Sequence, residues 1–144
     1  MQTFERDRIA IRYPESWDIE EAEDAESGAW TVTVSSPETA FLMMSLQPEA
    51  DHPGDIADQT LEALRADYQE LDAENVVETI CGLPAVGFNA DFITADTTTT
   101  CRVRCVATDA GPLLLMVQVS EYDRARNEPV LAAIMKSLDV DTDD

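Results

Sequence analysis

Two cysteines that lie four residues apart, Cys101 and Cys105, are the side chains whose type and spacing first suggest chemistry. On a helix, such positions lie about 5–6 Å apart, and two thiolates there could share a zinc ion. On a strand, four residues separate them by about 13 Å, well beyond the about 7 Å between Cα atoms that a disulfide allows. The segment "CRVRCVA" alternates with period two, which predicts a strand. We therefore expect both thiols to be small apolar core residues, with Cys81 on another strand and away from Cys101.

Arg102 and Arg104 alternate with these cysteines and are expected on the opposite face of the same strand. The Thr-rich turn "TADTT" before the strand predicts a register in which Asp91 lies opposite Arg102. The same register places Asn89 opposite Arg104. Cross-strand pairs of this kind contribute about 0.2–1 kcal/mol, so structural pairing is one explanation of the two arginines. The alternative is that they receive an anion or a carboxylate of a partner.

The sequence contains no recognisable catalytic or cofactor-binding motif. His52 is the single histidine, in the loop "EADHPGD", and its side chain is expected to be solvated. No GxSxG nucleophile motif occurs, and the five glycines have neither GxGxxG nor GxxxxGK spacing. We therefore predict no catalytic residues, no cofactor-binding residues and no metal ligands, and we expect a protein that is not an enzyme.

Strong acidity dominates the composition. The 144 residues include 30 acidic and 9 basic side chains, which gives a formal net charge of −21. We expect neither nucleic acid nor an anionic membrane as a partner, because both select basic surfaces. Adaptation to a salty cytoplasm explains the acidity, since carboxylates hold water and molar salt shortens the Debye length to about 3 Å. The alternative is an acidic surface that binds a cationic partner or calcium.

The length of the chain fits one domain, which we assign to residues 1–139, followed by an acidic disordered tail at 140–144. No apolar run approaches the about 20 residues that span a bilayer. The segment "MQTFERDRIA" lacks the apolar core of a signal peptide. Three cysteines without CxxC spacing are typical of reduced thiols. These observations predict a cytoplasmic protein.

Hydrophobic periodicity predicts seven strands and two helices. The strands before the first helix are "RIAIRYP", "WTVTVSS" and "AFLMMSLQ", with a further short strand near Trp17. The first helix is "PGDIADQTLEALRADYQEL", in which Asp55 can cap the N-terminus. The strands "NVVETIC", "AVGFNADFI", "CRVRCVA" and "PLLLMVQVS" follow, and "NEPVLAAIMKSL" forms the last helix.

The strands are joined by short turns, which predicts an antiparallel meander. Two of them, "FLMMSL" and "LLLMVQV", are apolar on both faces, so both faces of the sheet should be covered. The predicted fold class is therefore α+β. We expect one antiparallel meander sheet of about six to seven strands flanked by helices on both faces, a three-layer α/β/α sandwich.

Several short motifs in this order resemble the PsbP-like superfamily. They are "IRYPESW", then "SSP", then "GLPAVGF" after the first helix and "IMKSL" at the end of the last, so the resemblance covers about residues 8–138. The superfamily contains a photosystem II accessory subunit, a Ran-binding nuclear-import factor, mycobacterial lipoproteins and adaptor chaperones of type VI secretion. The resemblance implies an antiparallel sheet between helices and a protein that binds other proteins.

The expected function is a non-enzymatic binding or accessory module of PsbP-like fold with another protein as its partner. The alternative is an adaptor chaperone, expected as a homodimer, that shields an apolar segment of a secreted effector or of a neighbouring protein. If one sheet face is incompletely covered, Leu42, Met44 and Met116 form the predicted contact surface for such a segment. Arg102 and Arg104 complete this candidate protein-binding surface.

Overall fold

In the computed structural model, which describes residues 1–94 and 96–140, the chain forms ten strands and two helices. The helices are α1 (Pro53–Asp67) and α2 (Arg124–Lys136). All seven predicted strands and both predicted helices are present, and the short strand near Trp17 is β3. The strands are β1 (Gln2–Arg6), β2 (Ile9–Tyr13), β3 (Asp18–Glu23), β4 (Trp30–Ser35), β5 (Phe41–Leu46), β6 (Asp72–Ile80), β7 (Leu83–Thr94), β8 (Thr97–Thr108), β9 (Gly111–Ser120) and β10 (Asp139–Val140).

Seven of the strands form one antiparallel sheet in the order β3-β4-β5-β9-β8-β7-β6. Strands β6 to β9 are neighbours in sequence and in the sheet, which confirms the predicted meander for this half. The half of the sheet that precedes α1 joins it through β5, which pairs with β9. The predicted α+β class and an antiparallel sheet of seven strands are confirmed.

A second, three-stranded sheet has β2 at its centre, with β1 and β10 paired antiparallel to it on either side. This differs from the single predicted sheet, because β2 pairs with the two ends of the described chain and not with β4. The main-chain N–H of Arg12 in β2 donates to Ser137 Oγ (2.8 Å) just after α2. Val140 was predicted to begin a disordered tail and instead lies in β10. The rest of that predicted tail, 141–144, lies outside the described residues.

Helix α1 packs on β7, β8 and β9. Its buried residues Ile56 and Ala57 share a core cluster with Cys101, Val103 and Cys105 of β8. Alternate residues of β8 therefore face α1, as the period-two pattern predicted.

The start of α1 differs from the prediction. The residue before the helix is His52, whose side chain forms no capping hydrogen bond, and Pro53 occupies the first turn. The predicted cap, Asp55, lies inside the first turn, where a carboxylate still favours the helix dipole. The helix ends one residue before Tyr68, earlier than predicted, and the ring of Tyr68 stacks on Phe92 at a centroid distance of 4.2 Å.

A second core cluster contains Leu42 and Met44 of β5 and Leu115 of β9, together with Leu131 and Ile134 of α2. Helix α2 packs on β9 and on β2. This cluster therefore joins the three-stranded sheet to the seven-stranded one.

Candidate functional site

A cavity of about 630 Å³ lies between α2 and strands β6 to β9; we call it the α2 cavity. Its volume is within the range of about 300–1,000 Å³ that ligand sites occupy. The cavity occupies the space beside α2 where the helix packs on β9 and β2 and leaves part of β6, β7 and β8 uncovered. Its apolar wall is formed by Ile80, Val117, Val119, Leu131, Met135 and Leu138.

Arg104 lines the α2 cavity, and its side chain is largely buried, at 6% exposed. Its Nε donates to Glu78 Oε1 (3.0 Å), and its Nη2 donates to Asn89 Oδ1 (2.9 Å). Its Nη1 donates to the main-chain carbonyls of Phe88 (3.1 Å) and Val103 (2.9 Å). The guanidinium of Arg104, which carries five N–H donors, thus forms four hydrogen bonds. These bonds offset the cost of removing a charged group from water.

Arg102 joins the sheet to α2, because its Nη2 donates to Glu128 Oε1. Glu128 also accepts a hydrogen bond from Arg124 Nε (2.8 Å), one turn earlier in α2. The hydrogen bond from Arg124 lowers the pKa of Glu128 below its ordinary value, burial acts in the opposite direction, and the bond from Arg102 adds to the lowering. The Glu128 carboxylate is therefore held ionised between two arginines.

The register of β7 and β8 differs from the predicted one by two residues. Asn89, and not Asp91, lies opposite Arg102, while Asp91 lies opposite Thr100 and accepts a hydrogen bond from its hydroxyl (3.0 Å). The predicted pair of Asp91 and Arg102 is therefore wrong. Asn89 and Arg104 do meet as predicted, but diagonally across the ladder.

Three of the nine basic side chains of the protein line the α2 cavity: Arg102, Arg104 and Lys136. The acidic side chains that line it are Glu78 and Glu128, and each accepts a hydrogen bond from an arginine. Lys136 is exposed and forms no ion pair with any residue in the described part of the chain. The excess of acidic over basic residues that marks the whole sequence is thus reversed at this site.

The structure separates the residues of the predicted protein-binding surface. Leu42 and Met44 are fully buried beside α2, in line with Arg102 and Arg104 across the sheet. Met116 is partly exposed and packs against the other core cluster, beside α1. The three apolar side chains therefore form no common surface, whereas the two arginines do meet in the α2 cavity.

Cys101 and Cys105 are buried, free thiols on strand β8. Burial raises the pKa of each to about 12, with a hydrogen bond to Gln118 acting in the opposite direction at Cys101. Both are core residues, as predicted. Cys81 is an exposed free thiol in the turn between β6 and β7, and it lines the α2 cavity.

His52 is exposed, as predicted. Within residues 1–94 and 96–140, no group of three or more His, Cys, Asp or Glu side chains could hold a metal ion. Within the same ranges, no helix has the length and apolar character needed to cross a membrane.

No protein-family model matches the chain, and no curated protein sequence matches it. Solved structures do resemble it along almost its whole length. The solution structure of cyanobacterial PsbP (CyanoP) from Synechocystis sp. PCC 6803 gives a TM-score of 0.62 at 13% identity and covers 97% of this chain and 92% of that one.

Two bacterial proteins are similarly related in structure. PA94, a protein of unknown function from Pseudomonas aeruginosa, gives a TM-score of 0.59 at 16% identity and covers 99% of both chains. LpqN, which is involved in cell envelope biogenesis of Mycobacterium tuberculosis, gives 0.58 at 10% identity and covers 91% of this chain and 82% of its own. Identities this low show the fold alone, and the chain has a PsbP-like fold.

Proposed function

We propose that this protein is a non-enzymatic binding module that holds an apolar segment of a partner protein in the α2 cavity. The observation that supports the proposal is an apolar wall of six side chains in an open cavity whose other lining residues are mostly polar or charged. Burial of an apolar group against such a wall is favourable, and a few polar groups fix its orientation.

In this proposal the two helices cover opposite faces of the seven-stranded sheet, as the predicted three-layer sandwich requires. Cys101 and Cys105 share a core with α1, whereas Arg102 and Arg104 line the cavity beside α2. Successive residues of a strand point to opposite faces, so the two sets of contacts support an arrangement with the helices on different sides of β8. The α2 cavity then lies between the sheet and the outer layer that α2 forms.

The chemistry of the α2 cavity favours binding over catalysis. The arginine partners of Glu128 lower its pKa, so that this carboxylate is a poor proton donor near neutral pH. Burial raises the pKa of the Cys81 thiol, which keeps it protonated and weakly nucleophilic. Both groups are suited to contact a ligand and not to transform it.

Two substitutions on α2 test whether the cavity binds apolar groups. Ala132 lines the α2 cavity, and Ala133 does not; both are exposed, so a larger side chain can be placed at either without entering the core. Ala132→Phe fills the cavity and is expected to weaken the binding of the neutral apolar dye Nile red by about tenfold or more. Ala133→Phe is the matched control and should leave Nile red fluorescence titrations unchanged. Equal binding by both variants and the wild type would place the dye elsewhere and contradict the proposal.

Selection from a random peptide library tests whether the ligand is a protein segment. The wild type and Ala133→Phe are expected to enrich peptides with apolar residues, and Ala132→Phe is expected to enrich none of them. Failure of the wild type to enrich any peptide would overturn the proposal of a protein partner.

A further inference from the structure

The charge of the α2 cavity is opposite in sign to that of the whole protein. Three basic and two acidic side chains line it, in a protein with a formal net charge of −21. Arg102 and Arg104 each form an ion pair with a carboxylate of the protein, and Lys136 forms none with a described residue. The ammonium group of Lys136 is therefore the positive charge in the cavity that can pair with a negatively charged ligand. A ligand with a single negative charge suits this site, because the field of the rest of the molecule repels a polyanion.

The edge of the seven-stranded sheet runs beside the same cavity. Among the described strands, β6 pairs with β7 alone, and its residues Glu78, Thr79 and Ile80 line the α2 cavity. An unpaired strand edge presents main-chain N–H and C=O groups to an incoming extended chain. Asn89 adds an amide nitrogen that forms no hydrogen bond with another described residue. These groups match the repeating amides of a peptide, which an alkyl chain lacks.

We infer that the α2 cavity binds the C-terminal end of a partner chain. The terminal carboxylate meets Lys136, the last apolar side chain packs on the apolar wall, and the preceding main chain extends along the edge of β6. This inference rests on the proposed function and names the part of the partner that the cavity holds.

Isothermal titration calorimetry with two peptides of the sequence GSGSLL tests this inference. One peptide has a free terminal carboxylate, and the other has a terminal amide. We expect the acid to bind about tenfold more tightly, which corresponds to about 1.4 kcal/mol. The amide removes the charge and keeps the apolar contacts, so equal affinities of the two peptides overturn the inference.

Lys136→Gln is the matched variant, because Lys136 is exposed and its loss removes no ion pair recorded among residues 1–94 and 96–140. We expect the preference for the acid to fall to about twofold or less. Arg65→Gln removes the same charge from the exposed surface of α1 and should keep the tenfold preference. If Arg65→Gln reduces the preference equally, the field of the whole protein explains it, and the role of Lys136 is wrong.

Competition with decanoate extends the test to small molecules. Displacement of Nile red by decanoate, without binding of the acid peptide, would show that the cavity takes a small organic acid and would overturn the inference. If Nile red binding depends on position 132 and the acid and amide peptides bind alike, the proposed function stands and the C-terminal inference fails. If no peptide binds and Ala132→Phe leaves Nile red binding unchanged, the proposed function itself fails.

Discussion

At the scale of single residues, Asp123 joins the segment before β5 to the start of α2 and is 1% exposed. Its carboxylate accepts hydrogen bonds from the hydroxyl and the main-chain N–H of Thr39 and from Asn127 Nδ2 (2.6 Å). Burial raises the pKa of Asp123, but the hydrogen bonds from Thr39 and Asn127 lower it by more, so the pKa lies below its ordinary value. The ionised form of Asp123 therefore stabilises the fold.

Asp123→Asn is expected to lower the free energy of unfolding by about 1–3 kcal/mol near neutral pH, because it replaces an acceptor of several hydrogen bonds. Since the folded-state pKa is depressed, the contribution of the wild-type carboxylate is complete above the unfolded-state pKa of about 3.9. It is lost as the pH falls through the folded-state pKa, so the two proteins should become closer in stability below about pH 4. Urea unfolding at neutral and acidic pH measures both effects.

The control for this prediction is Asp51→Asn, at an exposed bend before α1. It should match the wild type at both pH values. A variant at Asp123 that is as stable as the wild type at neutral pH would show that the buried network contributes little.

At the scale of elements, the pairing of β7 with β8 depends on Gly87, which lies opposite Arg104. A Cβ atom at Gly87 would lie 1.8 Å from the carbonyl oxygen of Val103, and that oxygen accepts a hydrogen bond from Arg104 Nη1. We expect Gly87→Ala to cost about 3 kcal/mol or more, because a main-chain atom cannot move aside without disturbing the ladder. Chemical unfolding monitored by circular dichroism measures the loss.

Gly54→Ala is the matched control within α1, where no atom lies within 4 Å of an added Cβ. Alanine favours a helix over glycine by about 0.5–1 kcal/mol, so this variant should be as stable as the wild type or more stable. Similar losses in both variants would mean that the close approach of β7 and β8 is not the cause.

The alternation of residue types was sufficient to predict most strands and the face on which each side chain of β8 lies. The register of β7 and β8 was not predictable, because the segment 97–100 is four threonines. A slip of two residues keeps every side chain on its face, so neither the hydrophobic pattern nor the identity of these residues distinguishes the registers. Strand β3 was predicted only in part, since five of its six residues are exposed and four are acidic, a composition that resembles a loop.

The α2 cavity could not be predicted from local patterns, because it depends on where α2 lies across the sheet. The predicted last helix is present, and Leu131 and Ile134 are buried, but the helical pattern does not say which strands the helix leaves uncovered. The predicted surface of Leu42, Met44 and Met116 failed to form for a related reason. Strands that are apolar on both faces carry no signal for which side remains open.

At the scale of the whole molecule, a net charge of −21 makes the compact state sensitive to salt. We expect the melting temperature to rise with added KCl, because the Debye length falls from about 10 Å at 0.1 M to about 3 Å at 1 M. Differential scanning calorimetry up to molar KCl measures this. A flat or falling melting temperature would exclude adaptation to salt.

Calcium provides the companion measurement for the alternative explanation of the acidity. If the acidic surface binds calcium, millimolar CaCl₂ should raise the melting temperature by more than KCl of the same ionic strength. Equal effects at equal ionic strength would leave screening as the explanation.

The three-stranded sheet has a consequence for synthesis of the protein. Strand β2 is made early, with β1 beside it, whereas its other neighbour, β10, follows more than a hundred residues later. Ile9 and Ile11 belong to the same core as α2, so they stay without that cover until the last helix has left the ribosome. A truncated chain that stops before α2 exposes both isoleucines to chaperones and proteases. Closure of this small sheet thus depends on a segment that is synthesised after α2.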